Sequence, residues 1–247
     1  MGSAVQTIPL IKLALAFIPV VAVLVITGYW GVGYKTSLYA VSRMLLQLLL
    51  IGYFLTFIFE SGSALIVVVV LAVMLFASSW IALRIIRIPR RTVLLKSFGA
   101  ILLGGGVTLV LITKGVLDLQ PWYLPSYMIP LAGMIFASAM NSVSLAGERL
   151  GAELDRDVPY PSARNIALHA SLIPITNSLF AVGLVSIPGM MTGQILSGVS
   201  PFVAARYQIM VMCMIFGSAG IAAAVFLASV KSNFEATGGV DDLEMPP

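Results

Sequence analysis

Charge is scarce in this chain. Fourteen Lys and Arg and ten Asp and Glu are spread over 247 residues, 10% of the whole, against 60% hydrophobic residues and a mean hydropathy of +1.04. Soluble globular domains carry about 25% charged residues, so that class is excluded, and almost nothing outside the apolar runs is left to build a soluble domain. Cysteine is nearly absent: one thiol, Cys213, excludes an internal disulfide and a cysteine-based metal cluster. The single histidine, His169, and the lack of paired carboxylates at helical spacing within an apolar run leave no catalytic constellation. No Walker-type glycine loop is present to hold nucleotide phosphates. Neither an enzyme nor a resident cofactor is expected.

What the chain has in plenty is long apolar runs. Crossing the hydrocarbon takes about 20 apolar residues per helix, and runs of this kind occur at 10–27, 40–59, 64–83, 97–113, 128–146, 166–187 and 207–230. The expected fold is all-α, a polytopic membrane protein with about seven transmembrane helices. Turn chemistry separates the runs: Gly28, Gly31 and Gly33, then Glu60-Ser-Gly, Ile88-Pro89, and Gln120-Pro121 with Leu124-Pro125. The first run holds Lys12 and Pro19 and lacks a small-residue cleavage site, so it reads as a retained helix. One membrane domain is expected over 1–232. The tail, 233–247, is Gly- and acid-rich, too poor in apolar residues to fold, and expected to be disordered.

Orientation follows from Lys and Arg in short loops, which stay on the cytoplasmic side during insertion. Arg84, Arg87, Arg90, Arg91 and Lys96 gather after the third run, whereas the loop after the second has no basic residue and that after the fourth only Lys114. The third run therefore ends inside. Parity then puts the N-terminus outside and the C-terminus in the cytoplasm, with the polar segment 147–165 also inside. The net charge of +4 is accounted for by this placement, without a nucleic-acid partner. Lys12 alone runs against the pattern.

Polar residues inside apolar runs mark packing contacts or a solute path. Met134, Ser138, Asn141, Ser144 and Glu148 follow one another at steps of three or four and share a helix face, turned either to a neighbouring helix or to a water-filled path. Arg43 and Gln47 share another: Arg43 sits near the cytoplasmic end, where it can snorkel, while Gln47 lies deeper. Asn177 follows Pro174, a helix distorter, and either satisfies freed backbone groups or faces a path. His169 reads as interfacial, not as a metal ligand. Gly104 with Thr108 has the small-xxx-small spacing of close helix contact. Gly217, Ser218, Gly220, Ala222 and Ala224 form a second such face, suited to contact within the chain or between subunits.

Met190, Met191, Met210, Met212 and Met214 gather around the last break and the last run. Thioethers are soft ligands for Cu(I) and also flexible filler, and filler is the reading adopted. The stretch 186–198, SIPGMMTGQILSG, breaks the helical pattern with Pro188 and three glycines. Orientation places this broken segment, 186–205, toward the outer face as a re-entrant or capping element, with Met190 and Met191 as an apolar gate. Arg206 and Gln208 open the last run close by.

Taken together, Arg43-Met-Leu-Leu-Gln47, Ala139-Met-Asn141-Ser-Val-Ser-Leu-Ala146, Leu172-Ile-Pro-Ile-Thr-Asn177-Ser, Pro188-Gly-Met-Met-Thr-Gly-Gln194 and Ala205-Arg-Tyr-Gln208-Ile resemble the FetB-type permeases. These are bacterial membrane subunits of an ABC transporter associated with iron export, and the family includes a plant half-transporter linked to aluminium tolerance. The resemblance implies a bacterial inner-membrane permease without an ATPase of its own, paired with a cytoplasmic ABC ATPase subunit and assembled as two permeases with two ATPases. It implies a coupling segment in the loop 147–168, with Glu148, Arg149, Arg156, Tyr160 and Arg164 as candidates. That loop is short here and lacks the Leu-Gly-Ala-Ser-Pro-like core of the family, so that either the coupling helix is reduced or ATPase docking is weakened. Candidates for the substrate pathway are Gln47, Ser138, Asn141, Ser144, Asn177, Met190, Met191, Gln194 and Gln208, with no metal-ligand set. Plant relatives are associated with a nucleotide sugar, which makes a nucleotide-sugar or other small-solute exporter the alternative, and an uncoupled channel or scaffold a second one.

Overall fold

The structure, a computed structural model, describes residues 8–60, 62–86 and 88–233. The tail expected to be disordered lies, from residue 234 onward, outside the described residues. Those described are almost entirely helical, and among them the single extended pairing is an isolated bridge between Val182 and Ser186. The protein is an all-α, multi-pass membrane protein. The fold parts into two compact units, Met1–Ser61 and Gly62–Pro247.

The first unit is α1 (Leu10–Leu15), α2 (Ile18–Tyr29) and α3 (Tyr34–Glu60). Pro19 falls in the opening turn of α2, where its missing N–H costs nothing. Pro19, Val20, Val23 and Leu24 of α2 face Ser37 and Val41 of α3 across a cavity of about 310 Å³. No side chain of α2 is buried. Gln47 and Arg43 lie on α3, in this unit.

The second unit holds the core. Its elements are α4 (Ala64–Ala82), a 3-10 turn (Leu83–Ile85), α5 (Arg90–Ile101), a π-helical turn (Leu102–Gly106), α6 (Val107–Val110), a second π-helical turn (Leu111–Val116), α7 (Pro125–Leu154), α8 (Tyr160–Ala181), α9 (Gly189–Leu196) and α10 (Pro201–Ser229). Helices α7 and α10 form its centre, with Ile135, Leu150, Met214 and Phe226 fully buried among the largest core side chains. Gly104 lets the first π turn lie directly on α10: a β-carbon there would stand 2.9 Å from the Ser218 carbonyl oxygen. Thr108 closes this turn by donating its hydroxyl to the Gly104 carbonyl at 2.6 Å. Of the small-residue face of the last run, Ser218 and Ala222 are buried within the chain, Gly217 and Gly220 are half-buried, and Ala224 is exposed.

Six helices among the described residues are long and apolar enough to cross a membrane: Ile11–Tyr29, Tyr34–Phe59, Ala64–Ile85, Arg90–Val116, Pro125–Leu154 and Pro201–Ser229. The seventh expected span, 166–187, corresponds to α8, which carries Arg164, Asn165, His169 and Asn177 and falls short in apolarity. In the fold α8 nevertheless runs alongside α7 and α10 from one end of the unit to the other. Tyr160 at its start donates its hydroxyl to the Leu227 carbonyl near the end of α10. Leu179 near its end lines a cavity with Ala205 and Gln208 near the start of α10.

Helix α7 is longer than expected. The segment 147–165, which reads as a loop from its mixed charges, is helical to Leu154 and again from Tyr160. Gly147, Leu150 and Glu153 recur at steps of three and are buried, so the charged residues between them occupy the exposed side of a continuing helix. A β-carbon on Gly147 would collide with Ile86. Only residues 155–159 connect α7 to α8.

Candidate functional site

The helix break at 182–200 is held by a set of short-range backbone hydrogen bonds. Leu184, Val185 and Ser186 donate to the Ala181 carbonyl at 3.2, 2.8 and 3.2 Å, and Gly183 donates to Ser186 at 3.0 Å. Gly183 holds φ +83°, a conformation that glycine adopts without steric cost. After α9, Val199 donates to the Gln194 carbonyl at 3.0 Å, and the Ser200 hydroxyl caps α10 by accepting from the Val203 amide at 3.4 Å. With eight residues, α9 is about 12 Å long and cannot cross a bilayer.

Three cavities follow one another between α7, α8, α9 and α10. The first, about 470 Å³, is lined by Leu179, Pro188, Met191, Ile209 and Cys213 among others. The second, about 340 Å³, includes Met134, Ser178, Met190, Val211 and Ile215. Val182, Pro188, Gln208 and Met212 belong to the walls of both. The third, about 180 Å³, lies between α7 and α8 and is the polar one, with Ser138, Asn141, Ser142, Ser171 and Ser178. Ser178 joins it to the second.

Most hydroxyls in this series donate to backbone carbonyls. Ser138 donates to Ile215 at 3.1 Å, Ser142 to Ser171 at 3.3 Å, and Ser178 to Pro174 at 3.0 Å. Their lone pairs remain free to accept. Gln208 differs: its side chain is 6% exposed, and its buried Oε1 has no hydrogen-bond partner. Leaving such an acceptor unpaired costs about 1–3 kcal/mol. Gln194, on α9, likewise has a buried Oε1 without a partner.

Of the residues the sequence singles out for a path, the structure brings Ser138, Asn141, Met190, Met191 and Gln208 to these walls. Ser144, Asn177 and Gln194 are not among their lining residues. Asn177, on α8, is exposed. Gln47 belongs to the other unit. Met134, Met212, Ser171 and Ser178 join the walls without having been singled out for a path. Met134 was legible only as the head of the α7 stripe.

At the other end of this unit, Glu153 is buried and receives Arg149 at 2.6 Å and Arg156 at 3.7 Å. Tyr160 bonds Leu227, and Lys231 lies 6.0 Å from its ring centre. Arg164 donates to Asn165 at 3.3 Å, and Glu148 is exposed. Glu153 is the hub of this cluster, six residues after Gly147 on the buried side of α7. Lys96 donates to Asn233 and, at 3.3 Å, to Ser232, so the Arg90–Ile101 helix and the end of α10 meet here too.

A family model described as "Uncharacterised protein family (UPF0014)" matches residues 10–160 and 158–234. The chain belongs to this family. Among UPF0014 relatives, a membrane protein of Synechocystis is 40% identical over 195 residues, covering 72% of this chain and 74% of its own. The probable iron export permease protein FetB of Escherichia coli is 33% identical, covering 85% and 86%, and the protein ALUMINUM SENSITIVE 3 of Arabidopsis thaliana is 33% identical, covering 74% and 71%. No solved structure matches. The 195 aligned positions with the Synechocystis protein fall on 72% of 247 residues, about 178, so about 17 positions have no residue here. The UPF0014 match breaks in two at 158–160, within the turn from α7 to α8.

Proposed function

We propose that this chain is the membrane-spanning permease subunit of an ABC exporter for metal, driven by a separate cytoplasmic ATPase and acting in the bacterial inner membrane. Membership of UPF0014, with a probable iron export permease 33% identical over 85% of the chain, is the observation that carries the reading. The three joined cavities along α8, α9 and α10 are its path, with Ser138, Asn141, Met190, Met191 and Gln208 in the walls. The end of the second unit that carries Arg84, Arg90, Arg91, Lys96, Arg149, Arg156, Arg164 and Lys231 faces the cytoplasm, as basic loops do. The opposite end has Lys114 and Arg206. On this orientation α8 crosses as a seventh span, α9 lies at the outer end, and the C-terminus is cytoplasmic. The Glu153 cluster and Tyr160 form the ATPase docking face, and two permeases pair in the full assembly. ATP-driven motion transmitted through α7 and α8 opens the path outward, which does work only if substrate binds the two states differently.

The test is co-purification with a cytoplasmic ATPase and ATP-dependent metal efflux from vesicles containing both. Accumulation equal with and without ATP for every metal tried overturns the reading. A second reading, an uncoupled channel or scaffold, is favoured by the short turn from α7 to α8 and by the break of the family match there. Failure of this chain to retain any ATPase, or to stimulate its hydrolysis, decides for it.

A further inference from the structure

The donors in the path do not suit a hard ion. Iron prefers carboxylate and imidazole ligands, yet the walls of the three cavities hold neither, and among the described residues no three His, Cys, Asp or Glu side chains come together. What converges instead is sulfur. Met134 of α7, Met190 of α9 and Met212 of α10 line one cavity of about 340 Å³ from three separate elements. Gln208 is also among its lining residues, and the Oε1 of that side chain is buried and unpartnered. A purely apolar gate would gain nothing from an amide at that point. Three thioether side chains from separate elements are a donor set for a soft, d10 cation of low charge. Thioethers, being neutral, also release such an ion more readily than thiolates do, which transport needs.

We infer that the cavity of Met134, Met190, Met212 and Gln208 binds a soft monovalent cation of the Cu(I) and Ag(I) class as the permease's substrate. This rests on the export reading above and narrows its substrate. Methionine, with three rotatable side-chain bonds, can draw its sulfur inward onto an ion smaller than the empty cavity. Met190 is carried by the short α9, so the ion holds α9 against α7 and α10. Met191 and Cys213, in the adjoining cavity that shares Met212, give the ion its next soft contacts on leaving.

The experiment uses the full chain in nanodiscs, without ATPase, titrated with Ag(I) in a Cys213→Ala background that removes the competing thiol. Saturable binding of one Ag(I) per chain is expected. Met190→Leu, Met212→Leu and Met134→Leu, which keep volume and apolarity, should each weaken it at least tenfold, and Gln208→Leu severalfold. Met214→Leu, buried in the core, should leave it unchanged. No saturable binding, or binding unaltered in the Met190→Leu Met212→Leu double variant, overturns the inference; so does Fe(II) competing equally with Ag(I). The two readings fail separately. ATP-driven iron efflux that persists in the triple methionine variant leaves the export reading standing and sinks the soft site. Tight, methionine-dependent Ag(I) binding without ATP-driven efflux of any metal does the reverse.

Discussion

Gly104 and Ala222 meet backbone to backbone: a β-carbon on Gly104 would stand 2.6 Å from the Ala222 amide nitrogen and 2.9 Å from its Cβ. Neither neighbour is the end of a flexible side chain, so nothing can swing aside. Gly104→Ala should therefore destabilise by about 1–3 kcal/mol, the range of core overpacking. Gly99, in α5, has open space where its β-carbon would lie, and Gly99→Ala should be neutral or stabilise by up to about 1 kcal/mol through helix propensity. Thermal unfolding of both variants in one detergent checks the contrast.

Glu153 is 6% exposed in its side chain, whereas its partners Arg149 and Arg156 are 41% and 68% exposed. Removal of the carboxylate leaves Arg149 free to reach solvent, so Glu153→Ala should cost about 1–2 kcal/mol, below the figure for a fully buried pair. Arg156→Ala should cost under about 0.5 kcal/mol. Denaturation at low and high salt is the measurement. The reverse ranking would mean that Arg156 is the structural partner.

Tyr160 ties the first turn of α8 to the end of α10 by its bond to the Leu227 carbonyl. Tyr160→Phe should cost about 1 kcal/mol, felt locally. Amide exchange over 155–165 should speed up while the centre of α7 is unchanged.

Lengthening the turn between α7 and α8 tests the coupling proposal directly. Insertion of about 17 residues from a relative after Asp157, which already adopts a positive φ of 60°, should leave folding intact because longer surface loops cost little closure entropy. Stimulation of a partner ATPase should rise severalfold. Unchanged hydrolysis would separate the missing stretch from coupling.

Asn141 is exposed in the polar cavity, and Asn177 is exposed outside its walls. Asn141→Ala should lower efflux about tenfold, and Asn177→Ala less than twofold, measured as metal tolerance in a deletion strain carrying each variant. Equal effects would sink the assignment of the third cavity to the path.

Elements dictated by local composition were open to sequence reading. Apolar runs located the six long helices, Pro188 and its glycines located the break before α9, and Gly104 with Thr108 announced a close contact. The continuation of α7 past Ala146 was hidden because Arg149 and Glu153 read as loop charges until Gly147, Leu150 and Glu153 are seen to share its inner face. The thioether cavity was hidden for another reason. Met134, Met190 and Met212 are 78 positions apart from first to last, and their meeting depends on how three helices pack. Asn177 shows the converse, since a polar residue next to a proline says nothing of which way its turn of helix faces.

Helix α8 carries a consequence for how the protein is made. Its arginine, histidine and asparagines leave it short of the apolarity that lets a segment partition into lipid alone, yet its flank against α7 is long and five residues join the two. On the orientation proposed above it enters the bilayer as the second arm of a hairpin, its polar groups shielded by α7, and biogenesis of this part of the chain is then ordered: α7 first, α8 on its back. Glycosylation-site mapping of truncated nascent chains should find α8 inserted when α7 precedes it and left outside when α7 is replaced by a polar linker.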